Sequence, residues 1–345
     1  MKHQFPSILL LGLLCLSGRP ALSAAPVASP DSLQAVEAYA QAQGTTGLLI
    51  IRNGKVLVED NWPLGPGSVK FRLLVTYGQA PDGALLEDVA SQQKSFIAIL
   101  AGIAVDKHLL DVTRSVTSYL GAGWSKAAPE QESRITVLNL LQMNSGLNVD
   151  LTYEAPPGER FRYNTPAYSI TNSVLVAATG IPLEQLTREW LTEPLGMTNT
   201  SWRKRPAALA AVGNTVGLVT TPRDEAALGE MILHDGVGPN GKQVISPAQL
   251  HAMFTRSPTN PAYGRLWWLN GGSYAIRPSG HRVDGQLIPA APPDTVAALG
   301  YWDRKLYVVP SAQLIVVRLG QQATDKDFDQ QLWRRLSAAL HLGHD

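Results

Sequence analysis

Asp88-Val-Ala-Ser91-Gln-Gln-Lys94-Ser-Phe-Ile-Ala-Ile-Leu-Ala-Gly-Ile-Ala104 is the stretch around which the chain is organised. From Phe96 to Val105 apolar residues fall on nearly every face of a helix, which predicts a helix buried inside the protein rather than half-exposed on it. Its polar head then needs a reason. Residues three apart share one side of one turn, so Ser91 and Lys94 are expected to project together from the N-terminal end. Exposed backbone N–H groups and the positive end of the helix dipole disfavour a second positive charge there. Burial acts in the same direction on the lysine pKa, while a nearby carboxylate would raise it. A lysine that deprotonates easily can activate a serine, which makes Ser91 a candidate nucleophile.

The chain supplies its own control. Ser201-Trp-Arg-Lys204 has the same spacing, but Arg205 and Pro206 follow it instead of an apolar helix, so nothing there buries or orients the pair.

At 345 residues, with 45% hydrophobic and 17% charged residues, the composition is that of a globular chain with ample core material. A formal net charge of +1 with no block of like charges leaves no electrostatic footprint for nucleic acid. Lys2 and His3 precede the apolar run Ile8–Leu16, and the small residues Ala21, Ser23, Ala24 and Ala25 follow, the pattern of a signal peptide over 1–25. Its removal would take away Cys15, the only cysteine, and with it disulfide, thiolate and Cys-based zinc chemistry. Leu14 is larger than a lipoprotein cleavage site accepts, which argues against a lipid anchor on Cys15. The mature chain is therefore expected in the periplasm or outside the cell, with no transmembrane segment.

Asp31 to Gln43 reads as a helix ended by Gly44, and Gly47 to Val58 as a hairpin turning at Asn53-Gly54. Asn61 to Ala84 looks irregular. Residues 113–202 read as a mostly helical lobe. Thr221-Pro222 starts a helix running to about His234. Gly236 to Lys242 has the spacing of a phosphate-binding loop, but Gln243 stands where a Ser or Thr belongs and no strand precedes it, so it reads as an Asn-Gly turn. Leu306–Val309 and Leu314–Leu319 form a second hairpin, and Phe328, Leu332, Leu336 and Leu340 mark a closing helix. The expected fold class is α/β (α+β). An antiparallel sheet takes strands from both ends of a single domain (about 31–112 and 203–345), with helices around it and the helical lobe inserted.

In this order, Ala90-Ser91-Gln-Gln-Lys94-Ser-Phe96, Ile135 to Leu147, Pro157-Gly158-Glu-Arg-Phe161-Arg-Tyr163, Glu193 to Thr200 and Gly217 to Asp224 resemble the serine β-lactamase and penicillin-binding-protein superfamily, in particular its class C-related hydrolases. The resemblance spans most of the mature chain. It implies an acyl-enzyme mechanism without metal or organic cofactor, in which Ser91 attacks a carbonyl while Lys94 and Tyr163 move its proton. A tyrosine acting as base needs its pKa of about 10 lowered, here expected from the Lys94 ammonium. The backbone N–H groups of Ser91 and Tyr301 would form the oxyanion hole.

Two departures from the family's motifs narrow the expectation. In Tyr163-Asn164-Thr165 the motif's asparagine position holds Thr165, which lacks an amide's paired donor and acceptor. The third motif reads Ala298-Leu299-Gly300, without the cation or hydroxyl that would hold a β-lactam carboxylate. With Trp267-Trp268 this is similar to the esterase and 6-aminohexanoate-oligomer amidase branch. Thr165, Trp267 and Gly300 are the expected substrate-binding positions, although adjacent strand residues face opposite ways and one tryptophan should be core. Asp303-Arg304 replaces a Gly-Gln pair common in that branch. The expected substrate is a small ester, amide or short peptide, and no protein partner is inferable. The alternatives are a D-amino-acid peptidase or weak β-lactamase, or a non-catalytic binder of peptidoglycan fragments. A Ser-His-Asp triad finds no Gly-x-Ser-x-Gly elbow and no histidine motif.

Overall fold

The structure, a computed structural model, describes residues 32–211 and 214–343. The expected signal peptide and Cys15 lie outside the described residues. Helix α1 (Leu33–Ala42) is capped by the Ser32 side chain, which accepts from Ala35 N–H. Strands β1 (Thr45–Arg52) and β2 (Lys55–Asn61) follow, joined by Asn53 and Gly54 at φ 52° and 70°, the left-handed pair that a tight hairpin turn requires.

Strand β1 carries the unbroken apolar run Leu48 to Ile51, all buried, as expected of a strand covered on both faces. Its other neighbour comes from the far end of the chain. In the six-stranded sheet β1 lies between β2 and a strand formed by Leu314–Gly320, pairing Leu49 with Val317 and Ile50 with Val316. Beyond that strand lie Arg304–Val309, Val296–Gly300 and the short Trp268–Leu269. Every pairing is antiparallel.

The segment expected to be irregular instead holds a helix over Val69–Val75 and strand β3 (Thr76–Gln79). That strand opens a second, four-stranded sheet with β4 (Leu85–Asp88), β5 (Ser201–Lys204) and β6 (Val216–Thr220), in the order β3-β4-β6-β5. Sequence pattern missed β3 because its four residues include Gly78 and are too few to alternate. Numbering on in chain order, Trp268–Leu269 is β7, Tyr274–Ile276 and Arg282–Asp284 are the separate hairpin β8-β9, and the large sheet's remaining strands are β10 (Val296–Gly300), β11 (Arg304–Val309) and β12 (Leu314–Gly320).

After β4 and a short turn comes α2 (Gln93–Asp106), buried from Gln93 through Ala104 and packed against β10 and the helices Pro247–Phe254 and Thr165–Thr179. Beyond it, up to β5, the chain consists of helices and loops with isolated bridges; the longest helix there is α3 (Thr165–Thr179), whose N-cap is Asn164. Helix α4 (Pro222–Leu233) starts at Thr221, whose hydroxyl accepts from Asp224 N–H. Helix α5 (Phe328–Leu340) buries Phe328, Leu332, Leu336 and Leu340. Alternate strand residues serve the two faces of the large sheet: Tyr307 meets Trp333 of α5, with ring centres 5.2 Å apart, while Ile315 meets α4 at Gly229. No helix among the described residues is long and apolar enough to cross a membrane.

Candidate active site

Ser91 sits in a short 3₁₀ turn, Ala90–Gln92, that feeds directly into α2. Three residues per turn eclipse positions i and i+3, so the serine and lysine face the same way more closely than in an α-helix. Lys94 Nζ lies 2.9 Å from Ser91 Oγ. Entry to the turn is strained: Ala90 adopts φ 51°, and its N–H donates to Asp88 Oδ1 at 2.8 Å. Such strain persists only where the surroundings fix it, and functional sites are where it gathers.

Lys94 is 2% exposed, and burial, seconded by the nearby Arg205 guanidinium, lowers its pKa from 10.5 to about 7. Its Nζ stands 5.1 Å from the ring centre of Tyr163 and 4.8 Å from that of Tyr168. Those two π faces favour the ammonium, but desolvation is the larger effect. The carboxylate that would otherwise hold the charge is engaged elsewhere. Asp88 takes Arg205 through both oxygens, at 2.6 and 2.8 Å, and Arg205 also donates to Gln93 Oε1 at 3.2 Å. Both members of this ion pair are buried.

Tyr163 stacks on Trp268 with ring centres 5.8 Å apart and meets Tyr263 edge-on at 6.3 Å. Burial raises its pKa to about 12, opposed only in part by a hydrogen bond with Ser91. The expected lowering by a lysine ammonium is therefore overturned, because the lysine here is itself driven towards neutrality. Asn164 beside it is structural. Its Oδ1 accepts from Ala167 N–H at 3.1 Å, and its Nδ2 donates to the carbonyls of Leu147 and Asn148, both at 2.9 Å. Thr165, the first residue of α3, reaches the space in front of Ser91 and Lys94.

The end of β10 faces the turn that carries Ser91. A Cβ on Gly300 would come within 2.4 Å of the Val89 carbonyl, so only glycine lets the strand approach. Tyr301 follows it, and a turn with Trp302 at φ 63° and Asp303 at φ 58° leads to β11. Two buried arginines hold that turn. Arg304 donates to the Tyr301 carbonyl at 3.0 Å and pairs with Glu87 at 3.3 Å. Arg318 donates to the carbonyls of Trp302 and Asp303, at 3.0 and 3.1 Å. This accounts for Arg304 in place of the Gly-Gln pair: its side chain secures the turn from inside.

Of the two tryptophans, the expectation named the wrong one. Trp267 is fully buried, packs edge-on against Phe254 at 5.5 Å, and touches neither cavity beside Ser91. Trp268, pointing to the opposite side of the strand, lines the space with Ser91 and Tyr163. Ser91, Lys94, Tyr163, Thr165, Gly300 and Tyr301 are all brought together around two adjoining cavities. Asp88, Arg205, Leu209 and Arg277 also line them, and no local pattern marks these four. The sequence around Arg203-Lys-Arg205 offers no apolar helix to bury it, yet Arg205 turns inward.

Comparison with known proteins places this geometry in context. The profile of the family described as Beta-lactamase matches residues 33–340. Among solved structures, a Beta-lactamase/D-alanine carboxypeptidase from Yersinia pestis is 18% identical, with a TM-score of 0.63 over 89% of this chain and 98% of that one. A family VIII carboxylesterase is 14% identical, with a TM-score of 0.61 over 91% and 99%. A provisionally assigned 6-aminohexanoate-dimer hydrolase from Bacillus anthracis is 16% identical, with a TM-score of 0.65 over 88% and 81%. At these identities the likeness shows the fold alone.

Proposed function

Because the chain belongs to the Beta-lactamase family, we propose that it is a serine hydrolase that cleaves a carboxylic ester or small amide through an acyl-enzyme on Ser91. The observation that carries this reading is the 2.9 Å approach of a buried, readily deprotonated Lys94 to Ser91 Oγ at the mouth of two cavities. Neutral Lys94 takes the Ser91 hydroxyl proton as Oγ bonds to the substrate carbonyl carbon. The resulting oxyanion is held by the backbone N–H groups of Ser91 and Tyr301. As the intermediate collapses, Lys94 returns the proton to the leaving oxygen or nitrogen, directly or through the neutral Tyr163 hydroxyl. Water then repeats the sequence on the acyl-enzyme and releases the acid.

The walls around Ser91 support an ester or amide over a β-lactam. Ala298 and Leu299 bring no cation to the strand beside the nucleophile, and the Arg205 charge is closed on Asp88. Incubation with a fluorophosphonate probe and with p-nitrophenyl butyrate is expected to label Ser91 and to release p-nitrophenol, both lost in Ser91→Ala, while nitrocefin stays intact. Rapid nitrocefin turnover would instead make it a β-lactamase. Absence of both labelling and ester turnover would leave a binding protein. Export to the periplasm or the medium forms part of the same proposal, supported by the sequence pattern of residues 1–25.

A further inference from the structure

Ser91 and Tyr301 each line two cavities at once. The first, about 280 Å³, runs past Lys94 and Thr165 to Leu209 and Trp302. The second, about 250 Å³, is walled by Tyr163, Trp268, Leu287 and Leu299. Tyr301, 64% exposed, stands between them. Each cavity alone is smaller than the roughly 300 Å³ at which ligand sites usually begin, whereas the two together fall within that range.

Most of the lining is apolar, and burial disfavours the Lys94 charge. In the first cavity Asp88 and Arg205 are closed on each other through two short hydrogen bonds. In the second, the half-buried Arg277 donates to the Leu287 carbonyl at 3.1 Å, and its charge acts on Asp329, whose own ion pair is with Lys305. A charged substrate arm would give up its water for walls that are mostly apolar, while an apolar arm gains burial against Leu209 and Trp302 or against Trp268 and Leu299.

We propose that the substrate carries an uncharged, apolar group on both sides of the scissile ester or amide bond, one seated in each cavity, with Tyr301 between the two arms. The proposal rests on the serine-hydrolase reading and specifies its substrate class. A compact ester such as methyl acetate fills neither cavity and forgoes the burial that both offer.

Two ester series test it: linear acyl chains of increasing length on a fixed alcohol, and linear alcohols of increasing length on fixed butyrate, both followed by acid release. In each, kcat/KM is expected to climb about four-fold per buried methylene until the cavity is full. Leu209→Trp should flatten one series and Leu299→Trp the other. Pro278→Trp, on an exposed turn that lines the second cavity, repeats the second test without altering the sheet. A native series that is flat in either direction, or variants of the two cavities that flatten the same series, would overturn the two-armed substrate. Fluorophosphonate labelling of native Ser91 separates the outcomes: labelled protein with flat series loses only this inference, and unlabelled protein loses the hydrolase reading with it.

Discussion

In the proposed mechanism the desolvation of Lys94 sets a rate, and in the fold it sets a stability. With a pKa of about 7 in the folded chain, its neutral form grows as pH rises through that value, so acylation should show an ascending limb near pH 7. Replacing Tyr163 by phenylalanine is expected to lower acylation about 100-fold or more and to leave that limb in place, because a phenol whose pKa is pushed up to about 12 is not the group losing a proton there. Stopped-flow acylation across pH 5–9 reads both; a limb that vanishes with Tyr163→Phe would make the tyrosine the base. The stability argument has its own sign. The unfolded lysine keeps its proton up to about 10.5 and the folded one only to about 7, so between those values the unfolded chain binds more protons and native stability rises with pH. The penalty is fully present below about pH 7. Lys94→Met removes it, and is expected to abolish turnover while gaining about 1–3 kcal/mol in urea unfolding at pH 6, with a smaller gain at pH 9.

At the scale of elements, the candidate site depends on how closely β10 approaches the turn that carries Ser91. Gly300→Ala places a methyl against the Val89 carbonyl, where backbone rather than a flexible side chain must yield. Activity is expected to fall at least about ten-fold with a loss of about 1–3 kcal/mol, measured by ester turnover and thermal melting. Unchanged turnover would mean that β10 does not position the oxyanion donor. This scale also decides what is legible in sequence. Ser91 and Lys94 can be read because their relation is local, three residues on one turn. Asn53-Gly54 and Thr221-Pro222 announce a hairpin and a helix start for the same reason. Trp267 and Trp268 cannot be told apart in this way, because which face each takes depends on the register of β7 against β10. Nor can the Asp88–Arg205 pair, whose partners lie 117 positions apart and meet only where Arg205, just past β5, reaches over Gly217 of the intervening β6 to the end of β4.

For the whole molecule, the decisive contact is between the two ends of the chain. Strand β1 is completed by β12, pairing Thr45 with Gly320 and Arg52 with Leu314. Such non-local pairing makes folding slow, since the long loop must close before its contacts reward it. A chain ending at Ala312 lacks β12 and α5, which leaves β1 and β11 with unpaired edges and α1 without the ring of Phe328 that stacks on Tyr39 at 5.8 Å. It is expected to be digested rapidly under conditions in which the full chain resists limited proteolysis, and to show no Ser91 labelling. A protease-resistant, labelled truncation would show that the sheet closes without its last strand.

The same end-to-end pairing orders events during synthesis. Ser91, Lys94 and Tyr163 leave the ribosome long before Leu314, yet the wall they face is assembled only after the last strand emerges. A message cut short between β11 and β12 is therefore expected to yield a polypeptide that carries Ser91, Lys94 and Tyr163 without the completed sheet that holds β10 against them, so that such copies stay chemically silent.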